Sequence, residues 1–380
     1  MTKIRTTHTG SLPRPPELEA AIVAQDEGEA AEDLEAKVDA AVGDVVRRQA
    51  AAGLDVLSDG EQGKQGYSTY VQDRLTGFEG DSEGLGGLPE LADFPDYGPH
   101  IAGLMEAVHV KTPACTGPVR LKDPEAVHGD IDRLLQAAEA AGVERSRLFM
   151  TAASPGVIAF FFADRHYGDR EAYLADLAEA MRPEYEAIVK AGITLQLDCP
   201  DLAMARHLLF HEDSLEEFRR QAALNVEALN HALRGLPPER LRMHVCWGNY
   251  EGPHHHDVDL ADIVDIIVGA RPGGISVEAA NPRHAHEWRV FEDVALPDGK
   301  YVIPGVVDST SNFVEHPALV AQRLERYASL LGPERVMAGT DCGFGTFVGL
   351  AQVAPSIAWA KLSSMVEGAA LVEGDEPAGA

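Results

Sequence analysis

The sequence predicts an α/β chain of the (β/α)8 (TIM) barrel class, with a loop and hairpin insertion between the second and third strands. Three observations predict it. Short apolar runs suited to buried strands recur near residues 5, 56, 149, 196, 243, 276, 304 and 338. Most are separated by helical stretches, the signature of parallel βαβ units. Ionisable or thiol side chains stand where the runs end: His8, Glu61, Asp198, His244, Cys246, Glu278, Asp308 and Cys342. In a closed barrel all strand carboxyl ends share one face, where active sites form. A doubly wound open sheet is the alternative, but no GxGxxG follows the first run.

The elements follow in order. Residues 4–14 read as a strand running into a Gly/Pro turn that carries His8, Ser11 and Arg14. Residues 35–52 place Val38, Ala41, Val42, Val45 and Val46 on one helical stripe, stopped by Gly53. Residues 54–58 form a short strand ending at Asp59-Gly60-Glu61. From Tyr67 to His100 the chain is rich in Gly, Pro and aromatics without a period, which predicts an ordered cover over one end of the fold. Residues 107–111 and 117–121 suggest a β-hairpin around Thr112–Thr116, and a helix follows over 131–141. Strands at 148–152, 194–198, 241–246, 274–278, 301–308 and 335–340 then alternate with helices at 170–191, 215–233, 258–268, 317–331 and 354–367. The predicted layout is one catalytic barrel over 1–368, with the insertion at about 67–147, and an acidic tail over 369–380.

Composition narrows the function classes. The chain has 380 residues, 45% apolar and 24% charged, enough to bury a large core. No basic-then-apolar leader is present, and no apolar run approaches the ~20 residues of a membrane helix. A soluble cytoplasmic protein is expected, compatible with a homo-oligomer and without a membrane partner. The net charge of −29 repels phosphate backbones, which argues against nucleic acid. Four cysteines lie far apart, which predicts reduced thiols rather than a disulfide framework.

Residues i and i+2 of a strand share a face, so His244 and Cys246 in Leu241–Tyr250 can converge on one point. Imidazole with thiolate is a donor pair that suits Zn²⁺. Core packing is the plain alternative for such a pair. Glu278 and Cys342 are further ligand types, each at the end of another apolar run.

Assembled, these residues resemble the catalytic barrel of cobalamin-independent methionine synthase and its short relatives. The landmarks are THTGSLPRP (7–15), LDVLSDGEQG (54–63), AGITLQLDCPD (191–201), HVC (244–246), VEAA (277–280) and GTDCGFG (339–345). The resemblance implies a zinc enzyme with His244, Cys246, Glu278 and Cys342 as ligands. Ser11, Glu61 and Asp198 correspond to positions that hold the amino-acid thiol substrate. His8 and Arg14 complete the candidate substrate-binding set, with Arg14 and Arg283 as partners for a carboxylate or sulfonate.

The implied reaction is methyl transfer from a donor to a small thiol. The alternative is epoxide opening by coenzyme M, as in epoxyalkane:coenzyme M transferase, another short relative. Zinc deprotonates a bound thiol that would otherwise be mostly protonated at neutral pH. A shell of two cysteinates, one carboxylate and a neutral imidazole keeps such a thiolate electron-rich. The leaving group also needs a proton. Where the synthase has a histidine shortly after the strand-seven Asp, this chain reads Asp308-Ser309-Thr310-Ser311. His254, His255 and Asp308 are therefore the candidate catalytic groups, with His256, His284 and His286 nearby in sequence.

Overall fold

Seven strands form one parallel sheet in which the chain returns to its own beginning. They are β1 (Arg5–Thr6), β2 (Phe149–Ala153), β3 (Thr194–Asp198), β4 (Leu241–His244), β5 (Gly274–Val277), β6 (Tyr301–Val307) and β7 (Met337–Thr340). The spatial order is β1-β7-β6-β5-β4-β3-β2, so neighbours are consecutive except where β1 pairs with β7. These features come from a computed structural model, which describes residues 3–29, 31, 33–80, 82, 88–106, 112–350 and 352–372.

The two edges of the sheet meet across residues 55–57. Asp55 and Val56 donate their N–H groups to the Thr6 carbonyl at 3.1 and 3.0 Å, while Leu57 exchanges bonds with Arg147 and Phe149, both at 2.8 Å. With helices outside, the result is a TIM-barrel-like α/β fold.

Local chemistry explains the helices. Ser214 accepts from the Glu217 N–H at 3.1 Å and so N-caps Leu215–Ala232. Ser154, followed by Pro155, accepts from the Val157 N–H at 3.1 Å and starts Pro155–Phe161. Gly53 ends Leu34–Ala52 at φ 86°, a conformation costly for residues with a Cβ.

The interior is sealed below the mouth by a buried guanidinium. Arg242 donates to Gln196 Oε1 at 2.8 Å, Thr7 Oγ1 at 2.9 Å and the His8 carbonyl at 3.0 Å, and lies 3.5 Å over the Phe149 ring. Gln196 passes the contact on by donating to Asp198 Oδ1 at 2.9 Å.

Several expectations are corrected. The helix Pro16–Asp26 adds to the expected elements; its buried face is only Leu18, Ala21 and Ile22 in an otherwise Ala- and acid-rich sequence. The last helix runs Pro355–Val372, past the expected end at 367 and into the proposed tail; residues 373–380 lie outside the described residues. The 107–111 arm of the expected hairpin also lies outside them. Ala114–Cys115, expected in the turn, instead pairs antiparallel with Phe78–Glu79. Strand β4 stops at His244, so Cys246 sits in the loop beyond it.

Candidate active site and metal centre

The register of the central strands sets up the site: Asp198 lies opposite His244, and His244 opposite Ser276. Asp198 and His244 end their strands and Ser276 stands one residue before the end of its own, so side chains beyond them project into a cavity at the carboxyl face. It encloses about 580 Å³ and is lined by Ser11, Glu61, Asp198, His244, Cys246 and Cys342 among others. Leu88 and Leu91 from the expected cover, with Ile101 and Ala102 just after it, form part of its apolar wall.

At its floor, donor atoms of His244, Cys246 and Cys342 lie within 4.8 Å of one another. The two sulfurs are 3.1 Å apart, too far for a disulfide of about 2.05 Å. Cys342 Sγ stands 3.5 Å from His244 Nε2. Donors at ~2.3 and ~2.0–2.1 Å from one tetrahedral ion would be separated by about 3.5 Å. Glu278 approaches from the side, its Oε1 accepting from Cys342 Sγ at 3.9 Å and from the Trp247 N–H at 2.9 Å.

Burial, reinforced by Arg242, lowers the His244 pKa to about 3, leaving a neutral imidazole ready to donate a lone pair. The Cys246 sulfur beside it and then burial push the Cys342 thiol well above its ordinary value, and burial pushes Glu278 up. A divalent cation would offset these charges, so the donor set fits one.

Neighbouring side chains hold the loops in place. Asp341 accepts N–H bonds from Ala279 at 2.8 Å, Ala280 at 2.9 Å and Asn281 at 2.6 Å, fixing the turn after Glu278. Asn249 ties the two cysteine loops together by donating to the Gly343 carbonyl at 2.9 Å and to Thr346 Oγ1 at 2.6 Å. Both roles escaped the sequence reading, although Asp341 and Asn249 stand in or beside its landmarks.

Glu61 and Asp198 occupy the wall above the cluster. Glu61 has φ 56°, an uncommon conformation for a residue with a Cβ, and Thr151 Oγ1 donates to its Oε1 at 2.9 Å. Its Oε2 is buried without a hydrogen-bond partner among the described residues. Burial raises the pKa of both carboxyls, and Glu61 also raises that of Asp198. Ser11 Oγ accepts from the Gly345 N–H at 3.3 Å.

The remaining candidates are placed elsewhere. Arg14 donates to the carbonyls of Gly345, Glu61 and Lys64 at 2.6–2.8 Å, so its guanidinium clamps the loops instead of facing the cavity. His8 Nε2 is 2.8 Å from Gln49 Oε1 behind the sheet and does not line the cavity. His254 lies between Asp257 at 2.8 Å and the Tyr250 carbonyl at 3.0 Å. His255 pairs with Asp93 at 2.9 Å in a partly exposed group. Asp308 caps its own turn, accepting from the Thr310 and Ser311 N–H groups at 2.9 and 3.0 Å. None of these five reaches the cavity wall, because nearer partners satisfy them. Arg283 is exposed.

The family model of the cobalamin-independent synthase catalytic domain matches residues 4–85 and 157–371. The chain belongs to that family. It is 26% identical over 370 residues to a methionine synthase of Saccharolobus solfataricus, covering 97% of this chain and 94% of that relative. A methionine synthase of Thermococcus kodakarensis is 26% identical over 339 residues, 89% of this chain and 83% of the relative. The fold is that of a B12-independent methionine synthase from Shewanella sp. W3-18-1, solved in complex with selenomethionine. That likeness has a TM-score of 0.72 at 20% identity and covers 98% of each chain. As a family member the chain is a methyltransferase, and no helix among its described residues is long and apolar enough to cross a membrane.

Proposed function

We propose that this protein transfers a methyl group to the sulfur of homocysteine at a zinc ion held by His244, Cys246, Cys342 and Glu278. The observation that carries the reading is the meeting of imidazole and two thiols on the floor of a cavity whose wall bears two buried carboxyls. Zinc bound there would lower the pKa of the substrate thiol and keep it nucleophilic at neutral pH.

This chain's own residues would do the rest. Glu61 and Asp198 receive the substrate ammonium, which offsets their mutual repulsion. Ser11 donates to its carboxylate. The apolar wall formed by Phe161, Phe347 and Ile101 excludes water from the reacting sulfur. Asn249 and Asp341 position the ligand loops. We place this chemistry in a single catalytic barrel over 1–368, with an insertion at about 67–147 whose Tyr67–His100 stretch covers one end. A cytoplasmic setting would keep the cysteines reduced.

The comparisons favour the methyl-transfer reading over epoxide opening by coenzyme M, since the curated relatives reported above are named methionine synthases. X-ray absorption at zinc, with and without homocysteine, tests the proposal alongside assays supplying methyltetrahydrofolate or methylcobalamin. The expected result is one additional sulfur ligand per chain when homocysteine is added, and methionine formed with one of the donors. A sulfur count unchanged by the thiol would refute it.

A further inference from the structure

We propose that the protein holds a second divalent transition-metal ion, of the zinc class, on Glu90, His207 and Asp257, where it fastens the cover to the barrel mouth. The three residues come from separate elements. Glu90 opens the short helix Glu90–Asp93 of the cover, His207 lies in Ala205–Leu208 after β3, and Asp257 lies in the loop after β4. All three are buried, at 0%, 0% and 8% exposure. One donor atom of each lies within 4.8 Å of the other two.

What points to a ligand is that each residue carries unsatisfied capacity. Glu90 Oε2, Asp257 Oδ1 and both ring nitrogens of His207 are buried without a hydrogen-bond partner among the described residues. Buried polar atoms are seldom left in that state. His207 Nδ1 comes within 3.1 Å of Asp257 Oδ1 without the alignment of a hydrogen bond. Two donors at ~2.0–2.1 Å from one ion, at 90–110°, would lie about 2.9–3.4 Å apart.

The second carboxylate oxygens are already engaged, as outer partners of metal ligands usually are. Tyr250 donates its hydroxyl to Glu90 Oε1 at 3.0 Å. Asp257 Oδ2 meets His254 Nδ1 at 2.8 Å and His284 Nε2 at 2.9 Å. An all nitrogen–oxygen donor set with two carboxylates suits a doubly charged first-row ion.

The location gives the ion its role. Leu88 and Leu91 of the cover line the cavity, so a bond from Glu90 to the barrel loops would hold that wall in place. Glu90 also falls in residues 86–156, outside the stretch the family model matches. The rival reading is a hydrogen-bonded histidine–carboxylate network without metal.

Metal content of the full chain decides between them. All proteins carry His255→Ala and His256→Ala, which remove the exposed Asp93–His255–His256 group, and are dialysed from zinc into metal-free buffer. The parent should retain two zinc ions per chain. Cys246→Ser with Cys342→Ser should lose one, and His207→Gln should lose the other. Cobalt-loaded His207→Gln should keep the thiolate charge-transfer absorption, and the double serine variant should keep only weak nitrogen–oxygen bands. Failure of the serine arm alone would count against the thiol-centred site and leave the second site standing. If His207→Gln does not fold, Glu90→Ala serves in its place. A zinc count unchanged by both substitutions, or a parent holding one ion that disappears with the cysteines, would overturn the proposal.

Discussion

Replacing Asp198 by Asn should separate substrate binding from folding. Asp198 ends β3 at 4% exposure, lines the cavity and accepts from Gln196 at 2.9 Å. Burial and then Glu61 hold its carboxyl well above the ordinary value of 3.8. For an acid raised on folding, the stabilising contribution is complete below about pH 4 and is lost as pH rises through the folded value. At pH 8 the ligand-free protein therefore bears an unfavourable contribution from this buried carboxyl beside Glu61. Asn keeps the shape and removes the titration, so the ligand-free variant should gain ~0.5–2 kcal/mol at pH 8, as substitutions at strained functional sites often do. In the proposed function the same change removes a partner of the substrate ammonium. Losing one member of a desolvated charge pair costs ~2–5 kcal/mol, roughly 30-fold to a few thousandfold in affinity. Thermal unfolding at pH 5 and pH 8, with calorimetric titration of homocysteine, measures both effects. Homocysteine affinity within about threefold of the parent, or a less stable variant at pH 8, would refute the reasoning.

Other perturbations test separate parts of the structure. Burial raises Asp201 to about 6, although Ser154 and Asn225 donate to it. Its contribution is present below about pH 4 and lost as pH rises through about 6, some ~3 kcal/mol at ~1.4 kcal/mol per pH unit. Asp201→Asn should abolish that fall in a comparison of urea unfolding at pH 4 and pH 7. Arg14→Lys should lower stability by ~2–4 kcal/mol through lost charge-assisted bonds to carbonyls, seen as a lower denaturation midpoint, while the homocysteine KM stays within about threefold. Asn249→Ala should weaken zinc binding by ~10–100-fold, the usual effect of losing an outer partner. Cys342→Ser should weaken it further and abolish methyl transfer, with the circular dichroism of the fold retained.

The fold was legible because its strands are short apolar runs closed by polar residues, and parallel pairing needs a helix between successive strands. The thiol cluster was legible for the same reason: strand ends converge in a barrel, so His244, Cys246 and Cys342 had one place to meet. The cover was less legible. Its pairing of Phe78–Glu79 with Ala114–Cys115 joins segments far apart in sequence, and no alternating pattern announces two-residue strands. Arg14 and His8 lie off the cavity because three carbonyls and a glutamine claim them, partners that their position beside a strand end does not reveal. The Glu90–His207–Asp257 group left no trace at all, since its members follow no motif spacing.

Under the proposed function, charge would also select the substrate. The cavity gathers Glu61 and Asp198 on its wall and two thiols at its floor, with Glu278 behind Cys342, and no Lys or Arg lines it among the described residues. Lys64, the nearest buried amine in sequence to Glu61, already donates to the Thr151 carbonyl at 2.7 Å and its hydroxyl at 3.1 Å. A thiol bearing a sulfonate, such as coenzyme M, would bring another negative charge to this wall and find no free guanidinium, because Arg14 is spent on backbone carbonyls. An amino-acid thiol brings an ammonium to the carboxyls and a sulfur to the floor, offsetting repulsion at one end while completing the metal shell at the other. In the proposed reaction, the buried acids that are costly in the empty cavity would be the groups that distinguish homocysteine from an acidic thiol of similar size. Direct competition between the two thiols for the zinc-loaded protein should favour homocysteine, and equal binding would show that the wall carboxyls do not face the substrate.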